Sequence, residues 1–164
     1  MDETFYIPEH ADRATRYTII NDQLPFLMDR KAGRIANLSN AAAMLNQAFG
    51  FHWIGFYLVH EVDGQPELVL GPFQGPIACT RIGFGRGVCG TAWKEGQPII
   101  VPDVDQFPGH IACSSLSRSE IVVPLYKDNV IIGVLDIDSV VPGDFSEADR
   151  DALVIICKQL EDFV

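Results

Sequence analysis

The residues most able to do chemistry in this chain are its four cysteines and a small set of acids. Cys79, Cys89 and Cys113 fall in glycine-bearing segments, whereas Cys157 lies on an apolar helical stripe and reads as a small buried hydrophobe. Cys113 is preceded by His110 and followed, across a serine-rich stretch, by Glu120. Asp136 and Asp138 end an apolar strand pattern; being two residues apart, they point to the same face. Glu120 heads the segment expected to pair with that strand, so a hairpin can gather all three carboxyls. Acids crowded in this way share protons, because full ionisation of all three is unfavourable, and one can stay a proton donor at neutral pH. The plainer alternative is that they are solvated strand ends. Trp53 and Tyr57, four apart on another strand pattern, share a face and form either core or a pocket wall. An aromatic wall beside carboxylates suits a small ligand with an apolar end and a cationic end, which describes an amino acid.

Two other chemistries compete for these residues. Cys79, Cys89, Cys113 and His110 supply enough atoms for zinc, but no Cys-x-x-Cys pair occurs, and gaps of nine and 23 intervening residues between the cysteines match no compact zinc module. No metal or other cofactor is expected. Gly83-Phe84-Gly85-Arg86-Gly87 superficially resembles a phosphate loop, but it lacks the Gly-Lys-Ser/Thr ending and a strand-to-helix setting; Arg86 then serves to order the loop.

The chain that positions these groups has 164 residues, 48% of them hydrophobic and 21% charged, which suits one compact domain over residues 1–164 with a real core. Twelve basic against 22 acidic side chains give a formal charge of -10, which disfavours nucleic acid and anionic lipid as partners. No apolar run approaches the ~20 residues of a membrane-spanning helix, and the start carries no secretory signal pattern, so the expected location is the cytosol. Cysteines there are more readily explained by redox chemistry, metal binding or plain burial than by a permanent disulfide framework.

After a short tail of half a dozen residues, a weak helical pattern over 9–24 is interrupted by Pro25. Ile35, Leu38, Ala42, Leu45 and Phe49 then predict a second helix, ended by Gly50. Residues 51–59 read as a strand, the turn 63–66 comes next, and Glu67 to Leu70 is its hairpin partner. Six glycines between Gly71 and Gly90 predict an ordered loop, with a short helix from Thr91 to Glu95 and a strand from Gln97 to Val101. Pro102 to Arg118 is a long loop, and Glu120 to Tyr126 pairs with Val130 to Ile137 about residues 127–129. Ser146 to Asp149 forms a capping box for a last helix whose stripe is Leu153, Ile156, Cys157, Leu160 and Val164. Helices at both ends of a run of hairpins predict an α+β fold. Its central antiparallel sheet carries the terminal helices on one face and site-forming loops on the other.

Several long motifs, in order, carry a family resemblance: Gly71-Pro72-Phe73-Gln74-Gly75 leading to Cys79, Gly85 to Ala92, Phe107 to Cys113, Ser119 to Leu125, and Gly133 to Ser139. From about Asn37 to the last helix the chain resembles the free methionine-(R)-sulfoxide reductases, small stand-alone enzymes of the GAF fold. The resemblance implies that Cys113 is the nucleophile toward the sulfoxide sulfur and Cys79 the resolving thiol, with Cys89 a further redox-capable one. It implies that Glu120 or Asp138 donates a proton toward the sulfoxide oxygen, that Asp136 helps bind the substrate ammonium, and that Trp53 and Tyr57 enclose the methyl and side chain. Methionine leaves a sulfenic acid on Cys113, Cys79 condenses with it, and a thioredoxin-type dithiol reduces the disulfide. A homodimer is implied as well. One departure is Ser114, where the family commonly has an acid after the active-site cysteine. The rival reading is a non-catalytic GAF sensor of a small ligand or of oxidation; the chain lacks the Asn-Lys-Phe-Asp-Glu series, in that order, of cyclic-nucleotide binders. A zinc-stabilised interaction module is a third.

Overall fold

A computed structural model describes residues 5–111 and 113–164; Met1–Thr4, within the expected tail, and Ala112, within the Phe107 to Cys113 motif, lie outside the described residues. The first helix, α1 (Arg13–Leu27), begins where the Asp12 carboxylate accepts the Thr15 N–H at 2.8 Å, four residues later than its pattern predicts. It also continues through Pro25, contrary to expectation. A proline so near a helix end forfeits one backbone bond, to the carbonyl four residues back, and Tyr17, Ile20 and Leu24 keep the helix docked on the core.

The second helix, α2 (Arg34–Phe49), ends at Gly50 in the left-handed region, as the sequence predicts. Its buried stripe is Leu38, Ala41, Ala42, Leu45 and Ala48, whereas Ile35 is 61% exposed. The buried place in the first turn belongs to Asn37. Its amide accepts the Asp29 N–H and donates to the carbonyls of Asp29, Gly33 and Phe163, tying the helix start to the chain end.

Strands β1 (Trp53–Val62) and β2 (Gln65–Gln74) form a hairpin across Asp63 and Gly64, both at positive φ. β2 therefore runs past Leu70 into the expected loop. That stretch also holds β3 (Arg81–Gly83) and the start of α3 (Gly87–Glu95), four residues earlier than Thr91. Its glycines serve close packing: a Cβ on Gly90 would lie 2.4 Å from the Gly83 carbonyl oxygen.

A short β4 (Ile99–Val101) precedes the long loop, which contains one 3-10 turn at Val104–Gln106. The hairpin of β5 (Ser119–Lys127) and β6 (Val130–Ser139) turns at Asp128 and Asn129, again at positive φ. α4 (Glu147–Leu160) opens with the Asp149 carboxylate accepting the Ser146 N–H at 2.8 Å, the expected capping box. Leu153, Ile156, Cys157 and Leu160 are buried, while Val164 lies past the helix end and is half-buried.

The strands form one antiparallel six-stranded sheet in the order β3-β2-β1-β6-β5-β4. One face, carrying Ile54, Phe56, Leu58, Ile121, Val123 and Leu135, packs against α1, α2 and α4. The other face, carrying Trp53, Tyr57, Val122 and Val134, lies beneath α3 and the loops. Both faces are covered, so the central strands read as nearly continuous apolar runs. Among the described residues, no helix is long and apolar enough to cross a membrane.

Candidate active site

Strand register alone places the acids. On β6, Asp138 sits opposite Trp53 of β1 on one side and Glu120 of β5 on the other; Asp136 sits opposite Gly55 and Val122. These side chains therefore stand on the loop-covered face, with Tyr57 two residues beyond Gly55. Gly55 is required there. A Cβ at this position would lie 2.3 Å from the Phe73 Cβ and 2.6 Å from the Trp53 indole, so the missing side chain is the space into which those rings pack. Trp53 and Tyr57 stack with ring centroids 5.9 Å apart.

Two loop segments and the start of α3 roof this row. Cys79 and Cys113 are joined by a disulfide with their Cα atoms 5.7 Å apart, binding the segment after β2 to the segment before β5. The first is pegged to the aromatic wall, since Trp53 Nε1–H donates to the Pro76 carbonyl at 3.1 Å and the Tyr57 hydroxyl to the Cys79 carbonyl at 2.9 Å. The second is pegged to β5 by His110 Nε2, 3.2 Å from Glu120 Oε2, and to the residue before β1 by Ser114 Oγ, 3.0 Å from His52 Nε2. The start of α3 brings Cys89 in from a third side. The partly open cavity beneath them, of about 40 Å³, is lined by Trp53, Tyr57, Cys89, Cys113 and the three acids, among others.

The acids sit in a setting hostile to charge. Glu120 and Asp136 are buried and Asp138 half-buried, and among the described residues none of them meets a Lys or Arg in an ion pair. Burial, and then the neighbouring Asp138, push the Glu120 carboxyl up to about 8. Burial and then Glu120 hold Asp136 well above the usual carboxylate range, and burial and then Asp136 do the same for Asp138. Burial, reinforced by Asp136 and Glu120, raises the Cys89 thiol. Asp136 Oδ1 is buried and, among the described residues, has no hydrogen-bond partner. Such a chamber holds protons beside a sulfur centre, and offers carboxyls to a cation that can replace them.

All eight residues singled out in the sequence thus meet in one cavity or its roof, and Cys157 lies on the opposite, helix-packed face. Cys79 enters by its disulfide to Cys113. Sequence reasoning misses three participants. It names His110 as a neighbour of Cys113 and weighs it as a metal ligand, but does not place it beside Glu120. His52 and the buried Ser117 carry no signal, because their roles depend on how the roof folds back over the sheet.

The sequence pattern of the GAF domain family matches residues 34–162. GAF domain-containing protein A of Dictyostelium discoideum is 56% identical over 92% of this chain and 94% of its own length. The free methionine-R-sulfoxide reductase of Escherichia coli is 47% identical over 88% and 86%, respectively. In three dimensions, the free methionine-R-sulfoxide reductase of Neisseria meningitidis, solved in complex with its substrate, superposes with a TM-score of 0.89. It has 48% identity and covers 98% of this chain and 95% of that one. With this cavity and these relatives, the chain belongs to the free methionine-R-sulfoxide reductases of the GAF domain family.

Proposed function

We propose that this protein, acting as a single-domain enzyme, reduces free L-methionine (R)-S-oxide to L-methionine through thiol chemistry at Cys113. The observation that carries the reading is the Cys79–Cys113 disulfide closing a chamber floored by Glu120, Asp136 and Asp138. In the reduced enzyme the Cys113 thiolate attacks the sulfoxide sulfur while Glu120 or Asp138 protonates its oxygen. Methionine departs and the oxygen stays on Cys113 as a sulfenic acid. The Cys79 thiol then attacks the Cys113 sulfur, forming the disulfide and releasing that oxygen as water. Two thiols are oxidised to one disulfide as one sulfoxide is reduced to a thioether. Asp136 takes the substrate ammonium, Trp53 and Tyr57 enclose the methyl group and side chain, and backbone N–H groups hold the carboxylate. Cys89, beside Asp136, is a further redox-capable thiol.

The small cavity suits the finished, oxidised state: about 40 Å³ has room for a few waters and not for an amino acid. Cleaving the disulfide frees two roof segments from each other and lets substrate in. A thioredoxin-type dithiol performs that cleavage by exchange. We place the cycle in the cytosol, where thiols are kept reduced, and in a homodimer. The test is turnover of each epimer of methionine sulfoxide, free and peptide-bound, with dithiothreitol as reductant. Free R epimer is consumed by the wild type and not by Cys113→Ser; equal turnover by both proteins overturns the assignment.

A further inference from the structure

We propose that Cys89, Glu120 and Asp136 form a binding site for a thiophilic divalent cation of the zinc class, which blocks the reduced enzyme. One sulfur and two carboxylate oxygens from these residues lie within 4.8 Å of one another, and all three residues are buried. They come from three elements, α3, β5 and β6, and it is the fold that brings Cys89 to the two acids.

A second, independent feature points to a ligand. Asp136 is only 6% exposed, yet among the described residues its Oδ1 has no hydrogen-bond partner, and the residue lines the cavity. A buried, unpartnered carboxylate oxygen is costly, and a cation answers that cost directly. The chemistry of the donors selects the ion: a cysteine sulfur with carboxylate oxygens suits zinc, whereas magnesium and calcium favour all-oxygen sites. His110 Nε2, 3.2 Å from Glu120 Oε2, stands where a fourth ligand can be recruited. On binding, Cys89 gives up its proton to solvent and becomes a metal thiolate, and the protons held by Glu120 and Asp136 leave with it.

The consequence for catalysis rests on the reaction proposed above. The cation would occupy Glu120 and Asp136, the donor candidate and the ammonium partner, and so compete with methionine sulfoxide.

Cobalt(II) is the probe, because its bond to a thiolate gives a near-ultraviolet charge-transfer band. In the reduced 164-residue chain carrying Cys79→Ser and Cys113→Ser, only Cys89 and Cys157 remain as thiols. The proposal expects one cobalt per chain with that band, its loss on adding Cys89→Ser, and its retention on adding Cys157→Ser. Absence of binding, or a band that survives Cys89→Ser, overturns it. Should Cys89→Ser fail to fold, Asp136→Asn serves. It must weaken cobalt binding roughly tenfold or more, and unchanged affinity overturns the site. In the unsubstituted enzyme, zinc must raise the KM for free methionine sulfoxide and leave kcat unchanged; a fall in kcat at saturating substrate overturns the block. Cobalt binding to a protein that shows no turnover would remove the proposed reaction and leave the metal site standing.

Discussion

Tyr57→Phe separates two jobs that the aromatic wall performs. The ring lines the cavity, while the hydroxyl donates to the Cys79 carbonyl at 2.9 Å and so holds the segment that carries the resolving thiol. Phenylalanine keeps the ring and deletes only that bond. A hydrogen bond of this kind contributes about 1 kcal/mol net, which corresponds to roughly a fivefold change in how often the segment holds Cys79 against Cys113. Trp53 Nε1–H remains bonded to the Pro76 carbonyl, so the segment loosens without leaving. In rapid-quench experiments with one equivalent of sulfoxide, methionine release should keep its wild-type rate, because attack by Cys113 does not involve Cys79. Disulfide formation should slow roughly fivefold, and dimedone should capture more Cys113 sulfenic acid during the delay. An unchanged rate of disulfide formation refutes the reasoning, as does an equal slowing of both steps.

Three further perturbations probe the same geometry. Gly55→Ala forces a Cβ against the Phe73 Cβ and the Trp53 indole; thermal unfolding should show a loss of about 1–3 kcal/mol, and steady-state kinetics a raised KM. Replacing the true proton donor, by Glu120→Gln or Asp138→Asn, should lower kcat by roughly 10²–10⁴-fold, with a small effect in the other variant. Asp149 is buried, which raises its carboxyl, but the Ser146 N–H, Arg13 and the Tyr17 hydroxyl outweigh that and hold it below its usual range. A depressed folded-state value means its stabilisation is complete above about pH 4–5 and is lost as pH falls through the native value. Asp149→Asn should therefore cost about 1–3 kcal/mol at neutral pH in denaturant titrations, with a shallower acid limb than wild type.

Period and pairing made part of this molecule legible in its sequence. Asp136 and Asp138 share a face because strands alternate, but Glu120 joins them only through an irregularity between Leu125 and Tyr126, which shifts by one residue the register begun at the 127–129 turn and which no local pattern announces. The last helix announces itself by Ser146 and Asp149, and its stripe by spacing. The segment from Gly71 to Gly90 misleads because glycine is a turn residue by propensity, whereas Gly90 here permits a backbone approach that no larger residue could make. Ile35 misleads for a related reason: spacing gives a stripe's direction but not where the sheet's cover begins, and Asn37 takes the buried place through four hydrogen bonds. The pairing of His52 with Ser114, and of His110 with Glu120, depends on loops folding back across the sheet, which no local pattern encodes.

The measurement that bears most directly on the central claim is mass spectrometric mapping of the reduced enzyme after a single turnover with one equivalent of free methionine (R)-sulfoxide. One methionine should appear for each new disulfide, and that disulfide should join Cys79 to Cys113. A sulfenic acid that persists unpaired on Cys113, or oxidation that falls on Cys89 or Cys157 while Cys113 stays a thiol, would contradict the account.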